Sequence, residues 1–194
     1  MAKILQNKLE TSILPVTPIL TTVSGPQGEP DDITVAWTGV ACSNPPLIAL
    51  GLRIGLAAYD LLRQTGEFVC NVPTQDMLEA FDRIDLASGQ KADKFALFGL
   101  TRAKAHVVTP PLILEAPVNV ECRVERVVEF GGSHDLFIGR VVAVHFDENV
   151  INEKGELVVE AINPFVMCAG SGEFWNLGRE IGHLGFTAQQ KRLY

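Results

Sequence analysis

Residues 31–53 read DDITVAWTGVACSNPPLIALGLR, two apolar, β-branched runs on either side of a short polar turn. Runs of this length and composition predict strands at 34–40 and 47–52, joined through Ser43, Asn44, Pro45 and Pro46. Upstream, residues 13–23 (ILPVTPILTTV) are as apolar, but Pro15 and Pro18 carry no N–H for a ladder. The expectation there is an edge strand or an extended lead-in, followed by a hairpin turn through the Gly-, Pro- and Asp-rich residues 24–32. After Arg53 the period changes. Leu56, Tyr59, Leu61 and Leu62 fit a short amphipathic helix that Gly66 stops, and residues 67–72 (EFVCNV) return to strand. Thr74 is placed to cap a helix toward Phe81, with Asp76 and Glu79 in its early turns, where negative charge suits the helix dipole. A loop at 87–90 and a short helix at 92–98, stopped by Gly99, complete this half.

From Pro117 the pattern alternates: Val118, Val120, Cys122 and Val124 are apolar, whereas Asn119, Glu121, Arg123 and Glu125 are polar. A second long run, LFIGRVVAVHF, follows after GGSHD, which predicts two long strands in a hairpin with a five-residue loop. Residues 147–160 read as a polar excursion turning at Lys154 and Gly155. INPFVMC is a short apolar run, and the glycines at 178, 182 and 185 leave the form of the tail open. Six or seven strands against three or four short helices predict a mainly β protein, a closed or sandwiched β-structure with peripheral short helices. No GxGxxG follows a strand, which removes a Rossmann nucleotide site.

Composition narrows the function. A chain of 194 residues fits one domain spanning 1–194, and 47% hydrophobic residues leave apolar surface for a partner, so an oligomer is expected. A net charge of -7 without a Lys/Arg cluster excludes a nucleic-acid partner, and any anionic ligand must be met by local cations. Cys42, Cys70, Cys122 and Cys168 form no CxxC pair and have no His at ligand spacing, which argues against a zinc or iron–sulfur site and against a disulfide framework. The first twenty residues carry Glu10 and two prolines where a signal peptide would be continuously apolar, and no run approaches a membrane span; the expectation is a cytoplasmic protein.

Candidate chemistry gathers at the central stretch. Thr34, Trp37, Thr38, Cys42 and Ser43 place hydroxyls, an indole and a thiol within a few residues of one another, suiting a flat heteroaromatic ligand that forms hydrogen bonds. Nothing beside Cys42 would lower its pKa, so it reads as a small packed group and not a nucleophile. His106, His145 and His183 read as structural.

The segments TVAWTGVACSNPPL, GEFVCNVP, SGQKADKF, the SHD between two long strands and the tail WNLGREIGHLGF occur in an order that resembles the flavin reductase-like family, flavoredoxins in particular. The resemblance implies a six-stranded split β-barrel that binds FMN non-covalently, as a homodimer with the flavin near the subunit interface. It implies electron transfer from NADH or NADPH through FMN to a flavin or another acceptor. The alternatives are a flavoredoxin-type carrier fed by a protein donor, or a flavin-binding barrel without turnover. Position by position, it puts Thr34, Trp37 and Thr38 beside the ring or ribityl chain, with Cys42 and Ser43 as further polar contacts. Arg53, Ser88 and Lys94 fall at phosphate-side and loop positions, His134 faces the cofactor or nicotinamide as the catalytic candidate, and Phe165 is an aromatic near the flavin. Lys91, Arg63 and Arg83 read as solvated charges. The chain departs from the family at Asp31, where an Asn is common, and at Leu56 and Ala58, which stand where a second Arg and a hydroxyl residue are frequent. Those departures leave fewer phosphate ligands, with Lys91 and Lys94 as substitutes.

Overall fold

The structure, a computed structural model, describes residues 14–26, 32–87, 92–168 and 170–188. In chain order its elements are β1 (Pro15–Val23), β2 (Asp32–Ser43), β3 (Pro46–Arg53), α1 (Ala57–Thr65), β4 (Glu67–Val72), α2 (Leu78–Leu86), α3 (Lys94–Phe98), β5 (Arg102–Ala103), β6 (Leu112–Ile113), β7 (Val118–Val128), β8 (His134–Phe146), α4 (Val159–Ile162), β9 (Phe165–Cys168) and β10 (Glu173–Asn176). The strands β1-β2-β3-β8-β7-β4 are joined in that order, and β4 pairs back onto β1. Every pairing is antiparallel, so the sheet closes into a six-stranded barrel, with β9 and β10 continuing outward from β1.

Strand alternation builds two cores from one sheet. Ile19 and Val23 of β1, Ala36 of β2, Leu50 and Leu52 of β3, Phe68 and Cys70 of β4, Cys122 of β7 and Phe137 of β8 fill the first, together with Ala58 and Leu62 of α1. The intervening Leu20 and Ile33 turn to the other face and meet Met77, Phe81 and Ile84 around α2, Phe95 of α3 and Phe165 of β9. With both faces of β1 and early β2 covered, these strands read as unbroken apolar runs instead of alternating ones. Gly139 of β8 is a packing requirement: a Cβ there would lie 2.5 Å from Phe68 Cζ and 3.1 Å from Cys122 Cβ.

The edge-strand expectation for β1 fails. It pairs with β2 along Thr17–Val23, with β9 at Pro15–Val16 and with β4 at Leu20–Thr22. Pro18 is tolerated because it lies in the gap between the β9 and β4 pairings, opposite Trp37 on β2. Thr74 precedes a single 3-10 turn (Gln75–Met77) without making a side-chain cap, and α2 begins at Leu78. By contrast, Asp93 caps α3 by accepting hydrogen bonds from the N–H groups of Phe95 and Ala96, which starts that helix at Lys94. Gly66 and Gly99 end α1 and α3 in the left-handed conformation, as the pattern predicts. The long hairpin is present, but its five-residue loop is 129–133; His134 is the first residue of β8. The tail forms β10 and is otherwise without α-helix through residue 188.

Candidate functional site

The pairing of β2 with β3 ends at Trp37 opposite Gly51. Beyond that point β2 continues toward Asp32 paired with β1, whereas β3 continues through Leu52 and Arg53 paired with β8. The sheet therefore splits between β2 and β3. Ile33 marks which backbone groups the split leaves: its N–H donates to Asp32 Oδ1 at 2.9 Å and its carbonyl accepts from Lys94 Nζ at 2.7 Å, both side-chain partners. Main-chain groups alternate sides along an antiparallel strand, so Val35, two residues on, presents its N–H and C=O to the same gap.

A cleft of 430 Å³ opens there, within the usual size range of small-molecule sites. Val35, Ala36 and Trp37 of β2 form one wall, Gly51 and Arg53 of β3 with Leu56 the other, and Ser133, His134, Asp85 of α2 and Met167 of β9 close it. Gly51 lies beside the indole: a Cβ there would be in ordinary van der Waals contact with Trp37 Cε3, at 3.9 Å. The Trp37 indole, 37% exposed, stacks on the His134 ring with centroids 4.8 Å apart and planes 19° apart. Arg53 faces His134 across the β3–β8 ladder, and Ile54 N–H bonds to the Ser133 carbonyl at 3.0 Å, holding the two strand ends together.

The ionisable groups that line the cleft are Arg53, Asp85 and His134. Burial, and then the Arg53 charge, hold the His134 imidazole below its ordinary pKa, so it is neutral at pH 7. Ser133 Oγ lies 2.9 Å from His134 Nδ1. Arg53 makes no ion pair with a described residue, which leaves its guanidinium available to an anion. The flat aromatic pair, the unpaired strand edge and the cation fit a planar heteroaromatic ligand with an anionic tail. A larger hollow of 730 Å³ lies between residues 157–164 and 177–182, but it has no stacked ring, and its Arg179 is accompanied by Glu160 and Glu180.

The other sequence-predicted residues are dispersed. Thr34, adjacent to the cleft wall, is 1% exposed, with its hydroxyl 3.5 Å from the Val35 carbonyl. Thr38 donates to the Ala49 carbonyl at 3.1 Å. Cys42 and Ser43 lie at the tip of the β2–β3 hairpin, five and six residues past Trp37 and so roughly 17–20 Å along the strand. Lys94 is 2% exposed and forms an ion pair with Asp32 at 2.7 Å. Phe165 is a core aromatic, edge-on to Phe81 and Phe174 at 5.3 and 5.6 Å. Asp31, Ser88 and Lys91 lie outside the described residues. Sequence reasoning missed Val35, Gly51, Asp85, Ser133 and Met167. Met167 enters through a pairing with Val16 across some 150 positions, which no local pattern announces.

The profile of the flavin reductase like domain matches residues 13–168. A protein of Archaeoglobus fulgidus without an assigned activity is 33% identical over 153 residues, 78% of this chain and 82% of that one. An NADH-dependent FMN reductase of Streptomyces nodosus subsp. asukaensis is 31% identical over 133 residues, 67% of this chain and 68% of that one. Among solved structures, the flavoredoxin of Desulfovibrio vulgaris (Miyazaki F) superposes with a TM-score of 0.87 at 26% identity, covering 97% of this chain and 100% of that one. A matching profile over most of the chain, a relative at one-third identity and a barrel split at the same place as its cleft lead to one conclusion: the chain belongs to the flavin reductase-like family.

Proposed function

We propose that the chain binds FMN in the cleft between β2 and β3 and acts as a flavin-reductase-type oxidoreductase using NADH or NADPH. The observation that carries this reading is the Trp37–His134 stack beside Arg53, which has no ion-pair partner among the described residues, at the point where the barrel splits. When bound, FMN supplies the hydride-accepting and electron-passing chemistry. The chain supplies binding and orientation. Val35 offers a main-chain donor and acceptor at ring height, Trp37 and His134 a flat apolar face, and Arg53 a cation for the phosphate. A neutral His134 can form hydrogen bonds without adding a second positive charge beside Arg53. Arg53, and not the buried Lys94, is the phosphate contact in this reading; Cys42 and Ser43 have no part in the site of their own subunit.

The similarity to an NADH-dependent FMN reductase supports the enzymatic reading, and the superposition on a flavoredoxin supports a carrier. Adding NADH or NADPH to the FMN-loaded protein separates them. Rapid bleaching of the flavin and continued nucleotide oxidation in air establish the enzyme. Bound flavin that neither nucleotide reduces excludes the nucleotide-driven enzyme and favours the carrier. The active form in this reading is a homodimer, supported by Val40 of β2, an apolar side chain that is 83% exposed.

A further inference from the structure

Helix α1 follows directly from the cleft residues Arg53 and Leu56, and it reaches back to the loop that precedes His134. Tyr59 and Arg63, four apart and therefore on one helical face, grip the two sides of that loop. The Tyr59 hydroxyl donates to Asp135 Oδ2 at 2.7 Å, and Arg63 Nη1 lies 2.9 Å from Glu129 Oε1. Asp135 is 3% exposed, and its other oxygen accepts the Phe130 N–H at 3.2 Å, so one buried carboxylate ties helix, loop and strand together. The Tyr59 ring also packs edge-on to Phe137, with centroids 5.5 Å apart. Neighbouring side chains on a strand point to opposite faces. While Asp135 is held inward, its neighbour His134 is turned into the cleft, onto Trp37.

We propose that α1 is a clasp and Tyr59 a positioning residue: through Asp135, Tyr59 fixes the orientation of His134 against Trp37 and so shapes the ring-binding face. The naming of that face rests on the proposed flavin site, whereas the placement of His134 can be measured without any flavin. Arg63 contributes less, because its pair with Glu129 is largely solvated.

The test is the ring-current shift that a stacked indole imposes on imidazole protons, read by NMR in the flavin-free protein. The four histidines give few signals, and His134→Gln assigns the one in question. The His134 ring protons are expected upfield in the wild-type chain and should lose about half of that shift or more in Tyr59→Phe, which keeps the ring on Phe137. Asp135→Asn, which weakens the same hydrogen bonds from the other side, should do likewise. In the wild-type chain, independently of any variant, the Phe130 amide should exchange slowly with solvent for a loop position. An unchanged His134 shift in a folded variant overturns the proposal, as does an unprotected Phe130 amide. Absence of FMN binding would defeat the functional reading and leave this result standing.

Discussion

Lys94→Ala should damage the fold far more than it damages flavin binding. The ammonium lies 2.7 Å from both Asp32 Oδ1 and the Ile33 carbonyl and is 2% exposed, so truncation leaves a carboxylate and a carbonyl without their cation. Breaking a buried pair by removing one partner costs about 3–5 kcal/mol. Asp32 is 13% exposed and still accepts from Ile33 N–H, which lets water re-solvate part of the charge and sets the expectation near the low end, about 3 kcal/mol. For a chain of this length that loss lowers the melting temperature by roughly 6–12 °C. Lys94→Met combined with Asp32→Asn should recover more than half of it, because the pair is then removed as a unit. Urea or thermal melts run beside FMN titrations provide the assay. Wild-type stability together with an FMN affinity weakened about 10-fold would refute the reasoning and return Lys94 to the phosphate, one charged contact being worth that much.

Burial would raise the Glu121 pKa, but hydrogen bonds from His106 N–H, the His145 ring and the N–H groups of Val108 and Val107 outweigh it and bring the value from 4.5 to about 2. A depressed carboxylate stabilises the fold above its ordinary pKa and loses that contribution as pH falls toward the folded value. Here that contribution is on the order of 3 kcal/mol, lost between about pH 5 and pH 2; Glu121→Gln should lower stability at pH 7 and flatten the acid limb of a melting-temperature profile. Gly139→Ala should destabilise the barrel by about 1–3 kcal/mol in urea melts, since its methyl group meets the buried Phe68 ring. If Val40 packs in the proposed homodimer, Val40→Lys should give monomers in light scattering where the wild-type chain gives dimers.

The fold was legible where packing follows local pattern. The β2–β3 and β7–β8 hairpins and the glycine stops of α1 and α3 follow from periodicity and turn chemistry. Long-range pairing decided the rest. Pro18 signals an edge only if every position of a strand has a partner on both sides, whereas β1 is shared between β9 and β4 with a gap at the proline. Of the candidate residues named from sequence, Trp37, Arg53 and His134 are drawn together into one cleft from three strands by the splitting of the sheet. A lysine in an acidic chain suggests a surface cation, and nothing in SGQKADKF discloses that Lys94 turns inward to Asp32. Phe165 is the complementary case, an aromatic whose ring completes a core cluster with Phe81 and Phe174.

In the proposed site the Trp37 indole faces bound flavin. In a Trp175→Phe background, Trp37 is the one remaining tryptophan, since the chain has two. Titrating this protein with FMN should quench its emission almost completely and saturably, and Arg53→Ala should shift the curve to about 10-fold higher FMN or more. Emission that does not change with FMN, from a protein that folds normally, would contradict the account.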